Sequence, residues 1–227
     1  MRVCRVIDIG RMPYAQAFAL QKREVARLQR DAGDEVLYLV EHPHVITVGR
    51  NATGEAILAD RRLVEGRGVE IAQTDRGGDV TYHGPGQLVG YPLLRLDDGR
   101  RDIRRYVHDL EEMLIRALAD FGIHAERHAV HRGVWTNGRK IASLGIRIAR
   151  WVTSHGFAFN VSTDLSYFSL IQPCGIQGCE MTSIEREIGN QISRDEAIQR
   201  VIARFAEVFQ REMIRESTSE AKVAGHV

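Results

Sequence analysis

Short strand-like runs joined by turn residues outnumber helical stripes along this chain, and that balance limits the folds it can adopt. The runs occupy positions 36–40, 44–48, 69–72, 88–94, 134–135, 140–148 and 155–161. Between the fifth and sixth runs, Asn137-Gly138 is a strong β-hairpin signal. Because many runs are joined by short turns and not by helices, a strict βαβ array is not expected. The pattern predicts an α/β (α+β) fold in which helices flank mixed β-sheets.

Three segments repeat apolar residues at helical spacing. The first covers 13–31 and the second 102–121, and each carries one mostly apolar stripe. The third begins at Ser193, which is followed three residues later by Glu196, as a capping box requires. We therefore expect three amphipathic helices, each covering part of a sheet.

Length, charge and cysteine content exclude several classes of protein. The chain has 227 residues and a formal net charge of +1. This length fits one domain at 1–215. Beyond it the sequence shows no hydrophobic periodicity, which predicts a flexible C-terminal tail at 216–227. The small charge argues against a nucleic-acid partner, and no run approaches ~18 apolar residues, so no membrane association is expected. Three cysteines without a secretory leader indicate a reducing, cytoplasmic location.

The segment Arg76–Gln87, RGGDVTYHGPGQ, is the most unusual stretch of the sequence. Its glycines allow close backbone approach to a ligand and expose N–H groups that can bind an oxyanion or a carbonyl. A hairpin with two glycine turns explains the composition equally well. The segment is neither a Walker loop, which needs a Gly-Lys-Ser/Thr ending, nor a well-placed dinucleotide fingerprint.

Cys174 lies between Pro173 and Gly175, which together favour a sharp turn that would hold a thiol at a loop tip. A buried structural cysteine is the commoner case for a lone Cys. Cys179 follows five residues later, but the spacing is not CxxC and no second pair exists, so no metal site is expected. Cys4 opens an apparent strand and is expected to be packed.

Lys140 opens the apolar strand KIASLGI. Desolvation disfavours an ammonium, so a lysine entering such a strand could act as a base near neutral pH. A solvent-facing lysine at a strand end is the commoner alternative. Spacing alone does not connect Lys140 to Cys174.

Histidines and arginines form weaker candidates. His42 and His44 flank Pro43 and could ligate a metal, although a turn leading into a strand is the better interpretation. His83 and His155 lie in glycine-containing segments and are expected to line a site. The basic stretch 100–105 is interpreted as a solvated helix N-terminus, with an acidic docking partner as the alternative.

Five blocks, in order over residues 10–210, resemble the lipoyl(octanoyl) transferase family. They are RGGDVTYHGPGQ at 76–87 continuing to Tyr91-Pro92, KIASLGI at 140–146, HGFAFNV at 155–161, PCGI at 173–176 and MTSI at 181–184. No motif position departs from the family pattern. The resemblance implies the fold of the biotin and lipoate protein ligase catalytic domains.

The resemblance also implies roles for individual residues. Cys174 would carry the acyl group, with Lys140 beside it as the base. The substrate-binding residues implied in this way are Arg76, Gly77, Gly78, Asp79, Val80, Thr81, Tyr82, His83, Ser143, Leu144, Gly145, Gly156, Phe157 and Ala158. No metal and no cofactor are implied.

The same resemblance implies the partners. Octanoyl-acyl carrier protein would be the donor, and lipoyl domains of 2-oxoacid dehydrogenase complexes and the glycine cleavage H protein the acceptors. The enzyme is expected to act as a monomer.

Two other functions compete with this interpretation. An ATP-dependent lipoate or biotin ligase on the same fold would activate its acid as an adenylate and would not need Cys174, but the glycine-arginine loop of the biotin enzymes is absent from the sequence. A non-catalytic acyl-binding module would explain neither Cys174 nor Lys140.

Overall fold

The computed structural model describes residues 2–31, 33–52, 56–97, 99, 101–172 and 178–216. The strands are β1 (Arg2–Arg11), β2 (Glu35–Glu41), β3 (Val45–Val48), β4 (Glu70–Gln73), β5 (Val80–His83), β6 (Gln87–Leu93), β7 (Glu126–Arg127), β8 (Val134–Thr136), β9 (Arg139–Ala149), β10 (Val152–Asn160) and β11 (Arg211–Glu216). The helices are α1 (Tyr14–Gln29), α2 (Arg61–Gly66), α3 (Ile103–Ala119), α4 (Ile184–Ile188) and α5 (Arg194–Phe209), with a 3₁₀ helix at Leu165–Leu170.

The described strands form a large mixed sheet and a small one. The large sheet has the order β11-β1-β2-β6-β10-β9-β8-β7, in which β1 runs parallel to both β2 and β11 and the remaining pairs are antiparallel. The small sheet has the order β4-β3-β5, with β3 parallel to β4 and antiparallel to β5. This mixture of parallel and antiparallel pairs confirms the predicted fold class.

Strand alternation distributes the large sheet's side chains between two apolar layers. On one face, α1 packs over Val36, Tyr38, Val89 and Tyr91. On the other face, α3 and α5 cover residues such as Leu37, Leu39 and Phe157, together with much of the apolar core. A third cluster lies between the small sheet and the 3₁₀ helix. The large sheet is therefore buried on both faces, as the long apolar runs require.

Local signals set the helix ends close to the predicted positions. The Asp102 side chain accepts hydrogen bonds from the first N–H groups of α3, and the Ser193 hydroxyl accepts one from Glu196 N at 3.1 Å. Three of the observed helices, α1, α3 and α5, are those that the periodicity predicts. Glu216 ends β11, and residues 217–227 of the predicted tail lie outside the described residues. Among the described helices, none is long and apolar enough to cross a membrane.

Candidate active site

A cavity of about 340 Å³ opens where the two sheets face each other. The glycine-rich loop and β5 form one wall, and β9 and β10 form the opposite wall. Tyr14 of α1 and Val107 of α3 complete it. Apolar residues supply much of the lining, including Leu144, Ile146 and Phe157, as expected of a site for a hydrocarbon chain.

Every predicted substrate-binding residue lines this cavity except Tyr82. They are Arg76, Gly77, Gly78, Asp79, Val80, Thr81, His83, Ser143, Leu144, Gly145, Gly156, Phe157 and Ala158. Tyr82 lies behind the wall because successive strand residues face opposite ways. Its ring stacks on Tyr167 at 5.0 Å, and its hydroxyl is 2.8 Å from Nδ1 of His44. A direct contact between Tyr82 and an acyl chain is therefore not supported.

Hydrogen bonds hold the glycine-rich loop against both sheets. The Arg76 guanidinium donates to the carbonyl oxygen of Thr47 at 2.6 Å and to its hydroxyl at 2.9 Å. The N–H of Gly77 donates to Ile146 O at 2.8 Å, which ties the loop to β9. Arg76 thus anchors the loop as well as lining the cavity.

Asp75 adds a second anchor at the start of the loop. Its carboxylate lies 2.7 Å from Nε2 of His155 and 2.9 Å from a guanidinium nitrogen of Arg147. Burial alone would raise the pKa of Asp75, but the hydrogen bond from His155 and the charge of Arg147 outweigh it and lower that pKa. Asp75 is therefore ionised at neutral pH and fixes β9, β10 and the loop in one geometry.

Burial keeps two histidines neutral, His83 in the cavity wall and His42 behind it. Burial lowers the pKa of His83 to about 3 and that of His42 to about 4. His83 Nδ1 lies 2.7 Å from Oε1 of Gln87. Both ring nitrogens of His42 are engaged, one with Met12 O and one with the Tyr91 hydroxyl, each at 2.7 Å. Hydrogen bonds at the strand junction therefore occupy both nitrogens of the His42 ring. Among the described residues, no cluster of three or more His, Cys, Asp or Glu is placed to hold a metal.

Lys140 is fully buried at the start of β9, which rules out the solvent-facing alternative. Its N–H donates to Glu180 O at 2.8 Å, and its carbonyl accepts from Thr182 N at 2.9 Å. The backbone of Lys140 forms a parallel bridge with that of Met181. The Nζ atom of Lys140 lies 5.6 Å from the centroid of the Trp135 ring. The role of this amine as a base remains a prediction.

Cys174 lies outside the described residues, which resume at Gly178. On the preceding side, Gln172 N donates to Ala56 O at 2.9 Å. Seven positions after Cys174, Met181 contacts Lys140 through the bridge between their backbones. Cys179 is half-buried, with its sulfur 4.0 Å from that of Met181. The assignment of Cys174 as nucleophile stays a prediction from the sequence.

Several lining residues were not among the predicted substrate-binding set. His155 was expected to line a site, as it does, and Tyr91 was named only as part of the family signature; both contribute to the wall. Val130, His131 and Arg132 line the cavity from a loop before β8. No motif or periodicity marks that loop, because its place follows only from the packing of α3 and β8.

Comparisons with known proteins agree with the fold and the cavity. Residues 13–206 match the family model of the lipoyl protein ligase A/B catalytic domain. A protein of Solibacter usitatus named octanoyltransferase is 48% identical, and the match covers 94% of this chain and 96% of that protein.

Solved structures share the architecture at low sequence identity. A lipoate-protein ligase A bound with ATP superposes with a TM-score of 0.80 at 17% identity, covering 100% of this chain and 93% of that one. A biotin protein ligase from Aquifex aeolicus superposes with a TM-score of 0.53 at 13% identity, covering 92% and 70%. The predicted biotin/lipoate protein ligase fold is confirmed, and the chain belongs to the lipoyl protein ligase A/B catalytic domain family as a member of its octanoyltransferases, which are acyltransferases.

Proposed function

We propose that this enzyme transfers an octanoyl group from octanoyl-acyl carrier protein to the ε-amine of a lipoyl-domain lysine, through a thioester on Cys174. The observation that carries the proposal is a fully buried lysine, Lys140, on the same strand that lines an apolar cavity. A lysine costs free energy to bury, so its presence there calls for a chemical use of the amine. The identity of the acyl group, octanoyl, is inferred from the name of the relative that is 48% identical to this chain.

The cavity suits a medium-length hydrocarbon chain. Val80, Leu144 and Phe157 line it together with the glycine-rich loop. Burying about seven apolar carbons at ~0.8 kcal/mol each stabilises the bound chain by roughly 5 kcal/mol. That free energy is large enough for the cavity to distinguish chains of different length.

In the first half-reaction, the amine of Lys140 acts as the base and takes the proton of the Cys174 thiol. The thiolate attacks the carbonyl carbon of the donor thioester, and a C–S bond forms while the carbonyl carries the negative charge. Backbone N–H groups of the glycine-rich loop are suited to stabilise that oxyanion. When the tetrahedral species collapses, the bond to the carrier sulfur breaks and Lys140 returns its proton to the departing thiolate. One thioester replaces another, so the step needs no ATP.

In the second half-reaction, the neutral amine of the acceptor lysine attacks the acyl-enzyme carbonyl. Lys140 accepts a proton from the attacking nitrogen and delivers it to the Cys174 sulfur as the C–S bond breaks. The product is an amide, which is more stable than a thioester, and that difference drives the cycle forward. The chain needs no cofactor for either half-reaction.

The acceptors are lipoyl domains of 2-oxoacid dehydrogenase complexes and the glycine cleavage H protein, and the enzyme acts on them in the cytoplasm as a monomer. The carbonyl carbon of the donor and the amine of the acceptor must both reach a site beside a buried lysine. Each partner must therefore present its reactive group on a flexible arm. A carrier's acyl-bearing arm and an exposed lysine each meet that requirement.

Intact-protein mass measurement after incubation with octanoyl-acyl carrier protein, without ATP, tests the proposal. We expect a mass gain of one octanoyl group that is absent in Cys174→Ala and retained in the matched control Cys179→Ala. Transfer of octanoate to a lipoyl domain that requires ATP, with no adduct on the enzyme, would identify a ligase instead. Neither an adduct nor ATP-dependent transfer would leave only an acyl-binding module.

A further inference from the structure

Gly133 lies against the side chain of Lys140 so closely that no other residue fits there. A Cβ atom at position 133 would stand 2.6 Å from Cε of Lys140, 3.3 Å from its Nζ and 2.6 Å from the carbonyl oxygen of Ala142. The φ angle of Gly133 is +125°, a conformation that side chains rarely adopt. The backbone at position 133 therefore forms part of the wall that surrounds the amine.

A buried carboxylate holds that backbone in place. Glu111 lies on the apolar face of α3 and is only 3% exposed. Its Oε1 accepts a hydrogen bond from Gly133 N at 3.1 Å, and its other oxygen is 3.5 Å from Nε of Arg127. A charged group on an otherwise apolar helix face is costly unless it is paired and hydrogen-bonded. The partners of Glu111 are the end of the 128–133 loop and the arginine that precedes that loop.

We propose that Glu111 is a positioning residue: through its hydrogen bond to Gly133 it keeps the 128–133 loop against Lys140 and so fixes the place of the amine. The inference rests on the proposed role of Lys140 as the base. Glu111 does not touch the reacting atoms itself. Its effect passes through one backbone group, and a displacement of that group would give the lysine side chain room to move.

The same loop also lines the cavity through Val130, His131 and Arg132. Loss of the Glu111 hydrogen bond could therefore alter acyl binding as well as the base. The two effects differ kinetically, since a misplaced base lowers the rate of acylation, whereas a loosened wall raises KM. The proposal requires the first effect to dominate.

The pH dependence of Cys174 alkylation by iodoacetamide tests the proposal without any acyl substrate. The measurement uses the full chain carrying Cys179→Ser, and burial keeps Cys4 from contributing because it removes the thiol from the reagent and raises its pKa. In this background, Lys140→Met should move the midpoint of the alkylation profile toward that of an ordinary thiol, about pH 8.5. Glu111→Ala should move the midpoint in the same direction.

Acylation kinetics supply the second readout. We expect Glu111→Ala to lower the single-turnover rate with octanoyl-acyl carrier protein by about 10-fold, a part of the 10²–10⁴-fold that a positioned base contributes, with KM changed less than about two-fold. Glu111→Gln retains an oxygen that can accept from Gly133 N, so it should restore most of the rate and the alkylation profile. Gly133→Ala keeps Glu111 but places a methyl group against the side chain of Lys140. It should produce the same shift of the alkylation midpoint, and it replaces Glu111→Ala as the test if that variant does not fold.

Glu112→Ala is the matched control. Glu112 is the next residue of α3 and contacts the same arginine, with 2.6 Å between its Oε2 and Nη2 of Arg127, but it makes no hydrogen bond to Gly133. It should leave the alkylation profile and the acylation rate unchanged. If Lys140→Met shifts the midpoint of the alkylation profile but Glu111→Ala and Gly133→Ala do not, the role of Glu111 is overturned and the role of Lys140 as the base stands. If Lys140→Met produces no shift, the base assignment fails and the inference fails with it.

Discussion

At the scale of single residues, the side chain of Lys140 has no contact with solvent. Taking a polar amine out of water costs free energy, and the centroid of the Trp135 ring lies 5.6 Å from Nζ. A methionine of similar length would pack there without that cost. The retention of a lysine is therefore better explained by its chemistry than by its contribution to stability.

Lys140→Met should separate these two contributions. We expect the rate of acyl transfer to Cys174 to fall by roughly 10²–10⁴-fold, because a positioned base is lost. The free energy of unfolding should change little by comparison, since a methionine of similar length keeps the packing and removes a buried polar amine. Single-turnover mass measurements and urea unfolding check the two outcomes, with the exposed Lys22→Met as control. A variant that is strongly destabilised yet still acylated at the normal rate would contradict the argument.

Gly90 sets the position of the aromatic ring that closes part of the cavity. Phe157 pairs with Gly90 across β10 and β6, and a Cβ atom at Gly90 would lie 2.1 Å from Cζ of that ring. Phe157 is packed into the core on one side and lines the cavity on the other. The ring can therefore yield only toward the cavity.

Substitutions at these two positions should change the preferred chain length in opposite directions. Gly90→Ala should push the ring inward and favour six-carbon over eight-carbon chains, whereas Phe157→Ala should open the cavity and favour ten carbons. A change of one or two methylenes is worth about 1–3 kcal/mol, so we expect roughly 10-fold or larger changes in relative rate. Competition among acyl-carrier proteins loaded with six-, eight- and ten-carbon chains measures these relative rates. An unaltered preference in both folded variants would exclude this ring as the determinant.

At the scale of elements, a buried hydrogen-bonded chain connects the cavity wall to the start of β9. Asn160, at the end of β10, accepts from Nε2 of Gln87 at 2.9 Å and donates to Thr182 O at 2.9 Å. Thr182 N in turn donates to Lys140 O at 2.9 Å. The amide of Asn160 is suited to this place because it offers both a donor and an acceptor.

Asn160→Ala should be costly because it leaves two buried partners unsatisfied. Each such group costs about 1–3 kcal/mol, so the free energy of unfolding should fall by roughly 2–4 kcal/mol. Asn160→Asp should also destabilise, since a carboxylate would face the carbonyl oxygen of Thr182. Urea unfolding measures both variants, and the exposed Asn190→Ala should be neutral. Equal stabilities for Asn160→Ala and the parent would show that water replaces the amide.

The elements divide into those that local sequence predicts and those that it does not. The apolar stripe of α3 and the cap of α5 depend only on residues within one or two helical turns of each other. The sequence therefore predicts both helices close to where they are observed. The pairing of β1 with β11 joins opposite ends of the described chain, and no local pattern indicates it. Tyr82 shows the same limit within a motif. The glycine-rich signature marks the whole segment, but only the pairing of β5 with β3 decides which side chains face the cavity.

At the scale of the whole molecule, three histidines, His42, His83 and His155, are buried around the junction of the two sheets. Burial lowers the pKa of His42 to about 4 and that of His83 to about 3, and burial also lowers the pKa of His155. In the unfolded chain each would titrate near pH 6.5. Folding therefore requires all three rings to stay neutral at a pH where the unfolded chain would already protonate them.

Stability should consequently fall as pH drops below about 6.5. In that window the unfolded state binds more protons than the folded state, so the free energy of unfolding increases with pH and decreases on acidification. From pH 7 to pH 5, His42 and His83 together account for a loss of roughly 4 kcal/mol, and His155 adds to it in the same direction. The carboxylates with lowered pKa, such as Asp75, contribute only at lower pH, where they begin to bind protons. Above pH 7 these histidines give no slope, because both states hold them neutral.

Urea unfolding at pH 7 and pH 5 measures this loss, and His42→Gln should reduce it by about 2 kcal/mol, whatever the variant's stability at pH 7. His124 is exposed, so its ring remains hydrated in both states and His124→Gln should leave the loss unchanged. If the parent is equally stable at both pH values, the two rings must take up protons in the folded state. The interior would then have to admit water beside the cavity that is proposed to hold the acyl chain.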